Sequence, residues 1–182
     1  MLEIVTDRER LVAALRERGV DWLAPSDAKG EPVSDETLIA SLAAQADPRL
    51  RQALTGWLLL RPALADAVPK VLVWLTAAAR EAMAAELVAR YMAAVYLQNL
   101  WRTRLKLYLG GFSDLPDFYS SQLGLPPGGE GFGKPGLDAL ADWRNRQSPI
   151  AYNHRAEYHV VMEHVFASLK QRAHSHEWAI AS

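Results

Sequence analysis

Five histidines, a glycine-rich loop, two pairs of acids and a basic-aromatic run are the places in this 182-residue sequence where residue types and spacing suggest chemistry. His154, His159 and His164 repeat every five residues. On one helix, at about 100° per residue, consecutive members point about 140° apart and cannot converge on one metal. His159 and Glu163 stand four apart, which gives two ligands and no more, and neither H-E-x-x-H nor E-x-x-H is present. His174 and His176 sit near a helix end. The expectation is solvated or locally hydrogen-bonded histidines on the outer face of the last helix, and no metal or other cofactor.

Gly128 to Lys134 reads G-x-x-x-x-G-K, the opening of a phosphate-binding loop, and Gly131, Gly133 and Gly136 read G-x-G-x-x-G. Such loops work when a strand feeds them, backbone N–H groups line the phosphates and a hydroxyl follows the lysine. Here Pro135 follows the lysine and Leu125-Pro126-Pro127 precedes the loop. A flexible surface loop is the simpler reading. Gly111-Phe112-Ser113-Asp114-Leu115 lacks the second glycine of a nucleophile elbow, so Ser113 reads as a helix cap. Asp114 with Asp117, and Asp138 with Asp142, are paired carboxylates by spacing. Both pairs lie where acids favour helix starts. The chain has no cysteine and hence no thiol nucleophile or disulfide. No catalytic residue is assigned. An enzyme of unrecognised type, using His154, His159 or Glu163 in a cleft, stays open as an alternative.

The run Tyr96 to Tyr108 carries Arg102, Arg104 and Lys106 among Trp101 and Tyr108, with no acid. Arginines beside rings can hold phosphates and stack bases, so RNA or nucleotide binding through Arg102, Arg104 and Lys106 is one reading. Leu97, Leu100, Leu105 and Leu109 mark a core stripe through the same run. Residues 112–142 carry five acids and one lysine, so an acidic segment folded back on a basic helix end explains the charge as well. Glu86, Arg90, Gln98, Arg102 and Lys106 follow helical steps. They form a polar row on an apolar helix, which serves either hydrogen bonds to a neighbour or a partner-binding groove.

The elements that must position these residues are helices. Twenty-nine Ala and 26 Leu stand against 12 Val and 4 Ile, and 50% of the chain is apolar. Ala and Leu lose little entropy in helices, and the β-branched residues that favour strands are scarce. Thr6 starts the first helix as a capping box with Glu9, and Gly19 ends it. Ser34 caps the second, and Asp47-Pro48 opens the third. Pro69 interrupts the fourth, with Val68 leaving the helical region. A central helix is expected over 77–109, free of Gly and Pro and closed by Gly110-Gly111. Residues 110–136 hold 8 of 11 glycines and 4 of 10 prolines, with one short helix from Ser113 to Gly124. A helix over 137–147 follows, and Ser148-Pro149 opens the last one, to about Ala173. Residues 2–5 and 20–25 suggest a small β-ribbon, and Ser26 to Pro32 a turn. The expected fold is all-α, a single domain over 1–182. Twenty basic against 21 acidic residues argue against a strongly charged binder. No apolar stretch approaches the roughly 20 residues of a membrane span, and the N-terminus lacks signal-peptide character, so a cytoplasmic location is expected.

Three stretches also carry a resemblance: Asp47-Pro48-Arg49 through Trp57 to Pro62, Ala93 to Gln98 leading to Trp101, and Leu123-Gly124-Leu125-Pro126 through Phe132-Gly133. Together they resemble small helical proteins encoded beside minimal nucleotidyltransferases, in arrangements similar to toxin–antitoxin pairs. The resemblance covers about half the chain. It implies a partner role, antitoxin-like or regulatory, and carries no catalytic residue. The Arg-x(4–6)-His motif of helical nucleases is absent, since Arg146 and His154 are too far apart and Arg155 and His159 too close. The leading expectation is a non-enzymatic protein that binds a partner protein or a second copy. Its expected anchors are Trp101, Tyr108, Phe112, Phe118 and Tyr119, residue types that dominate interfaces.

Overall fold

The computed structural model describes residues 2–25, 27 and 31–181, the last five by their backbone alone. The described residues form an all-α bundle: α1 (Arg8–Glu17), α2 (Asp35–Ala43), α3 (Pro48–Leu60), α4 (Val68–Ala77), α5 (Glu81–Leu100), α6 (Arg102–Leu109), α7 (Ser120–Leu123), α8 (Lys134–Gln147) and α9 (His154–Ala181). Two short 3-10 turns, Pro62–Asp66 and Glu130–Gly133, precede α4 and α8.

Polar caps set the early helix starts. Asp7, rather than Thr6, caps α1 by accepting from the N–H groups of Glu9 and Arg10, at 3.0 and 3.5 Å. Ser34 caps α2 through the Thr37 N–H (3.1 Å), and Asp47 caps α3 through that of Arg49 (2.9 Å), with Pro48 as first helical residue. Pro69 does not break α4. It lies in the first turn, where its missing N–H has no intrahelical partner to lose, and Val68 is already helical.

The centre of the molecule is α5, packed against α2, α3, α4, α8 and α9. All twelve residues from Leu87 to Gln98 are buried, as expected for a helix apolar on every side. The expected single helix over 77–109 is three pieces. The chain turns at Ala79, which is left-handed (φ 53°), while the Arg80 N–H closes back on Leu75 O at 2.9 Å. It bends again at Trp101 (φ −106°, ψ 15°), which separates α5 from α6.

No strand occurs among the described residues, so the ribbon is not formed. Side chains in and just after α2 take the backbone of Val5 instead. Its N–H donates to Ser41 Oγ (2.9 Å) and its carbonyl accepts from Gln45 Nε2 (3.2 Å). The turn expected over Ser26 to Pro32 lies largely outside the described residues. Ser113 starts no helix. Asp117 organises the bend before α7, accepting from the N–H and hydroxyl of Ser120 and the N–H of Gly128. Burial opposes the charge on Asp117, but these hydrogen bonds hold its carboxyl below the usual range. Gly124, left-handed at φ 65°, ends α7.

The glycine loop is packed, not free. A Cβ on Gly133 would lie 2.3 Å from the carbonyl oxygen of Tyr96, and one on Gly136 would lie 2.0 Å from the Tyr96 ring. These glycines let the start of α8 close onto α5, which is a different service from wrapping phosphate. Ser148-Pro149 does not open the last helix either. The Ser148 hydroxyl turns back on Ile150, and Asn153 caps α9 through the Ala156 N–H (3.0 Å).

Candidate functional site

Two regions gather residues that could act on something outside the chain. The first is the face made by α6 and one side of α9. Leu105 points inward from α6 and is buried. Trp101 and Tyr108 flank it and are half-buried against Phe166 of α9. Trp101 meets Phe166 edge-on at 5.6 Å, and Tyr108 lies tilted at 6.3 Å. The guanidinium of Arg104 lies over Phe166 at 4.0 Å from the ring centre, and 5.9 Å from that of Trp101. Leu100, Arg104 and Leu107 follow four- and three-residue steps along the outer side, and Leu107 is 79% exposed. A groove of about 320 Å³ runs between Trp101, Arg104, Met162, Phe166 and Lys170, and His159 and Glu163 line it as well.

This face unites only part of the expected anchor set. Trp101 and Tyr108 belong to it. Phe112 lies under the guanidinium of Arg102, 5.8 Å away. Phe118 and Tyr119 belong to a separate aromatic group on Tyr91 of α5, stacked at 5.7 Å and edge-on at 5.6 Å respectively. Tyr119 is buried, so it packs the core and offers no anchor to a partner. The expected basic trio divides as well. Arg102 is tied to Asp114 at 2.5 Å and to Asn99 at 3.1 Å, the contact between acidic segment and basic helix end that the charge pattern suggested. Arg104 and Lys106 have no acidic partner among the described residues. His159 and Glu163 pair with each other in solvent at 3.3 Å. Asp138 and Asp142 both hold Arg155, at 2.7 and 3.3 Å, and do not form a carboxylate dyad.

The second region is a cleft of about 630 Å³ where α3, α5 and α8 approach the start of α9. Its floor is charged. Arg90 is buried in the middle of α5, with Nε 2.6 Å from Glu86 Oε1 and Nη1 bonded to Glu157 of α9. Arg144 of α8 reaches both oxygens of Glu86 at 3.4 Å and lies 3.6 Å from Glu157 Oε2. His154 Nδ1 is 3.3 Å from Glu157 Oε2, and the Tyr152 ring stands edge-on to the imidazole at 5.0 Å. Arg51 of α3 approaches Glu86 Oε1 at 3.9 Å.

The cluster sets its own charges. Burial works against the Glu86 carboxylate, but Arg90 and Arg144 outweigh it and hold that carboxyl below the usual range. Burial likewise opposes the charge on Arg90, and Glu86 with Glu157 overcomes it, so the guanidinium is held more firmly protonated than usual. His154 goes the other way. Burial, helped by Arg144 and Arg90, pushes its pKa down against the pull of Glu157. Of the expectation that His154 is solvated or locally hydrogen-bonded on an outer face, the local contact is found, to Glu157 three residues on, while the solvated outer face is overturned: His154 is buried and faces charges from two other helices.

Glu86 and Arg90 were visible in the sequence as the only charges in an apolar run. Nothing local linked them to Arg144 or Glu157, which stand 58 and 67 residues away. Gln98, from the same polar row, bonds a loop rather than a helix, donating to Ser113 O (3.0 Å) and accepting from the Leu115 N–H (2.8 Å). No described helix is long and apolar enough to cross a membrane. In comparisons with known proteins the chain matches no family model, no curated protein and no solved structure.

Proposed function

We propose that this chain is a cytoplasmic, non-enzymatic interaction protein that holds a partner protein on the α6–α9 face. The observation behind the reading is the exposed strip Leu100–Arg104–Leu107 beside the Trp101–Phe166–Tyr108 cluster. Exposed apolar residues next to half-buried aromatics and an arginine have the composition of an interface centre. The strip also defines what would fit it. Arg104 and Lys170 edge the groove in no ion pair among the described residues, and Glu163, the acid that lines it, is paired with His159, so the partner presents apolar side chains bordered by Asp or Glu. The resemblance to helical proteins encoded beside nucleotidyltransferases points to the same kind of role, antitoxin-like or regulatory, and makes such an enzyme the first partner to try.

Affinity capture with three forms of the chain tests this. Wild type is compared with Leu107→Asp and with Val73→Asp, a control on α4 where a comparably exposed valine, at 71%, lies away from the face. The expected result is one stoichiometric protein retained by wild type and Val73→Asp and lost with Leu107→Asp. Capture that survives Leu107→Asp contradicts the reading. Capture abolished by ribonuclease, with binding that falls steeply with salt, favours the RNA alternative through Arg104 and Lys106.

A further inference from the structure

Hydrogen-bond donors outnumber acceptors on the floor of the cleft. Three guanidiniums, of Arg51, Arg90 and Arg144, surround two carboxylates, Glu86 and Glu157. Each guanidinium has five N–H donors, and each carboxylate about four acceptor positions. Glu86 Oε1 alone faces all three arginines, at 2.6, 3.4 and 3.9 Å, and only the Arg90 contact is a close one. Arg51 makes no hydrogen bond among the described residues. Arg144, with a side chain only 8% exposed, is engaged inside the protein, where it faces Glu86, Glu157 and the Tyr158 hydroxyl. His154, kept neutral, does not redress the balance, and Glu81, the one further acid lining the cleft, stands exposed at its mouth. Buried donors without acceptors are unfavourable, and a net cation in a half-enclosed site is more so. Here the least engaged of the three guanidiniums, that of Arg51, lines the cleft.

The walls differ from the floor. Trp143 is half-buried along one side, and Ile150 and Tyr152 form an exposed lip at 75% and 51%. That lip is held in place from α8, where Asn145 Oδ1 accepts the Tyr152 N–H at 2.9 Å. A charged floor below apolar walls, in a space of this size, is the pattern of a small-molecule site.

We propose that the cleft binds a small organic anion, whose carboxylate or phosphate group takes the spare donors of Arg51 while its apolar or ring-bearing body lies against Trp143 and the Ile150–Tyr152 lip. Arginine suits either oxyanion because its planar fork matches two oxygens at once. Three arginines make the same floor hostile to a metal cation. The site is separate from the α6–α9 face, so either proposal can fail alone.

Calorimetric titration of the full chain with phenyl phosphate, benzoate and inorganic phosphate tests it. At least one ring-bearing anion is expected to bind in 1:1 ratio, about tenfold or more tighter than inorganic phosphate. The stronger of the two identifies the preferred oxyanion. Arg51→Gln removes a half-exposed donor and leaves the Arg90 pairs intact. It is expected to weaken binding by about ten- to a hundredfold with the melting temperature of the free protein unchanged. Ala85→Trp, at an exposed position lining the cleft, is expected to abolish binding by filling the space. The proposal is overturned if neither ring-bearing probe binds wild type at millimolar concentration. It is equally overturned if inorganic phosphate binds as tightly as phenyl phosphate, or if both variants leave the affinity unchanged.

Discussion

The α6–α9 face and the α3–α5–α8 cleft both carry arginines, and the arginines serve opposite ends in the two places. On the face, Arg104 lies over Phe166 with no acid to hold it and borders an exposed leucine strip. In the cleft, Arg90 is buried between two carboxylates from two helices, and its side chain is 2% exposed. The first arrangement joins only α6 and α9 at the surface and costs the fold little. The second joins α5, α8 and α9 and has to be complete, because a charge left alone in the interior is unfavourable by several kcal/mol. A surface made to meet a partner can thus be altered without unfolding the chain, whereas the buried Arg90 pairs of the cleft cannot.

The largest expected effect breaks that contrast if it fails. Arg90→Leu leaves Glu157 buried beside only one partly engaged arginine and should lower stability by about 3–5 kcal/mol in denaturant unfolding. Leu107→Asp, on the face, should change stability by no more than about 0.5 kcal/mol. Equal losses at the two sites would mean that the face is as structural as the cleft. Next in size, Trp101→Ala should weaken partner binding by about 2 kcal/mol or more, read as affinity in a titration. Tyr119→Ala should act on stability instead, since Tyr119 is packed on Tyr91. Gly136→Ala follows, at about 1–3 kcal/mol of stability, because its new Cβ meets the Tyr96 ring and pushes α8, with Arg144, away from α5.

Acidification sharpens the same distinction. The unfolded His154 imidazole takes up a proton as pH falls through 6.5, while the folded one, with its lowered pKa, resists it. The unfolded state then binds more protons, so stability declines as pH drops below that value. Glu86 adds a second decline. Its folded pKa lies below the ordinary value of 4.5, so its contribution is intact above that value and is lost as pH falls through the folded one. Melting temperature should therefore fall in two stages, and His154→Gln should remove the upper stage and keep the lower. The smallest effect belongs to the exposed pair Arg102–Asp114: Asp114→Asn should cost about 0.2–1 kcal/mol and less in high salt.

The two regions were not equally legible in the sequence. Trp101, Arg104 and Tyr108 fall within eight consecutive residues, so helical spacing alone put them on neighbouring sides of one helix. Their separation from Tyr119 could not be foreseen, since it depends on the irregular path of residues 110–119. The caps at Ser34 and Asp47, and the burial of the segment around Tyr91 to Leu97, were also readable, because each is decided locally. The cleft was not. Its floor is joined across 58 and 67 residues, and a lone Glu86–Arg90 pair on a helix has the same spacing as an ordinary surface ion pair. The breaks at Ala79 and Trp101 escaped for a similar reason: neither involves Gly or Pro, and both depend on how the flanking helices pack.

The most direct test of the interaction role is hydrogen exchange on the complex with the captured partner, compared with the free chain. Amides of α6 and of residues 159–170 of α9 should exchange more slowly in the complex, while those of α2 and α4 stay unchanged. Protection confined to the cleft mouth, around Trp143 to Tyr152, or protection absent from α6, would contradict the placement of the partner on the α6–α9 face.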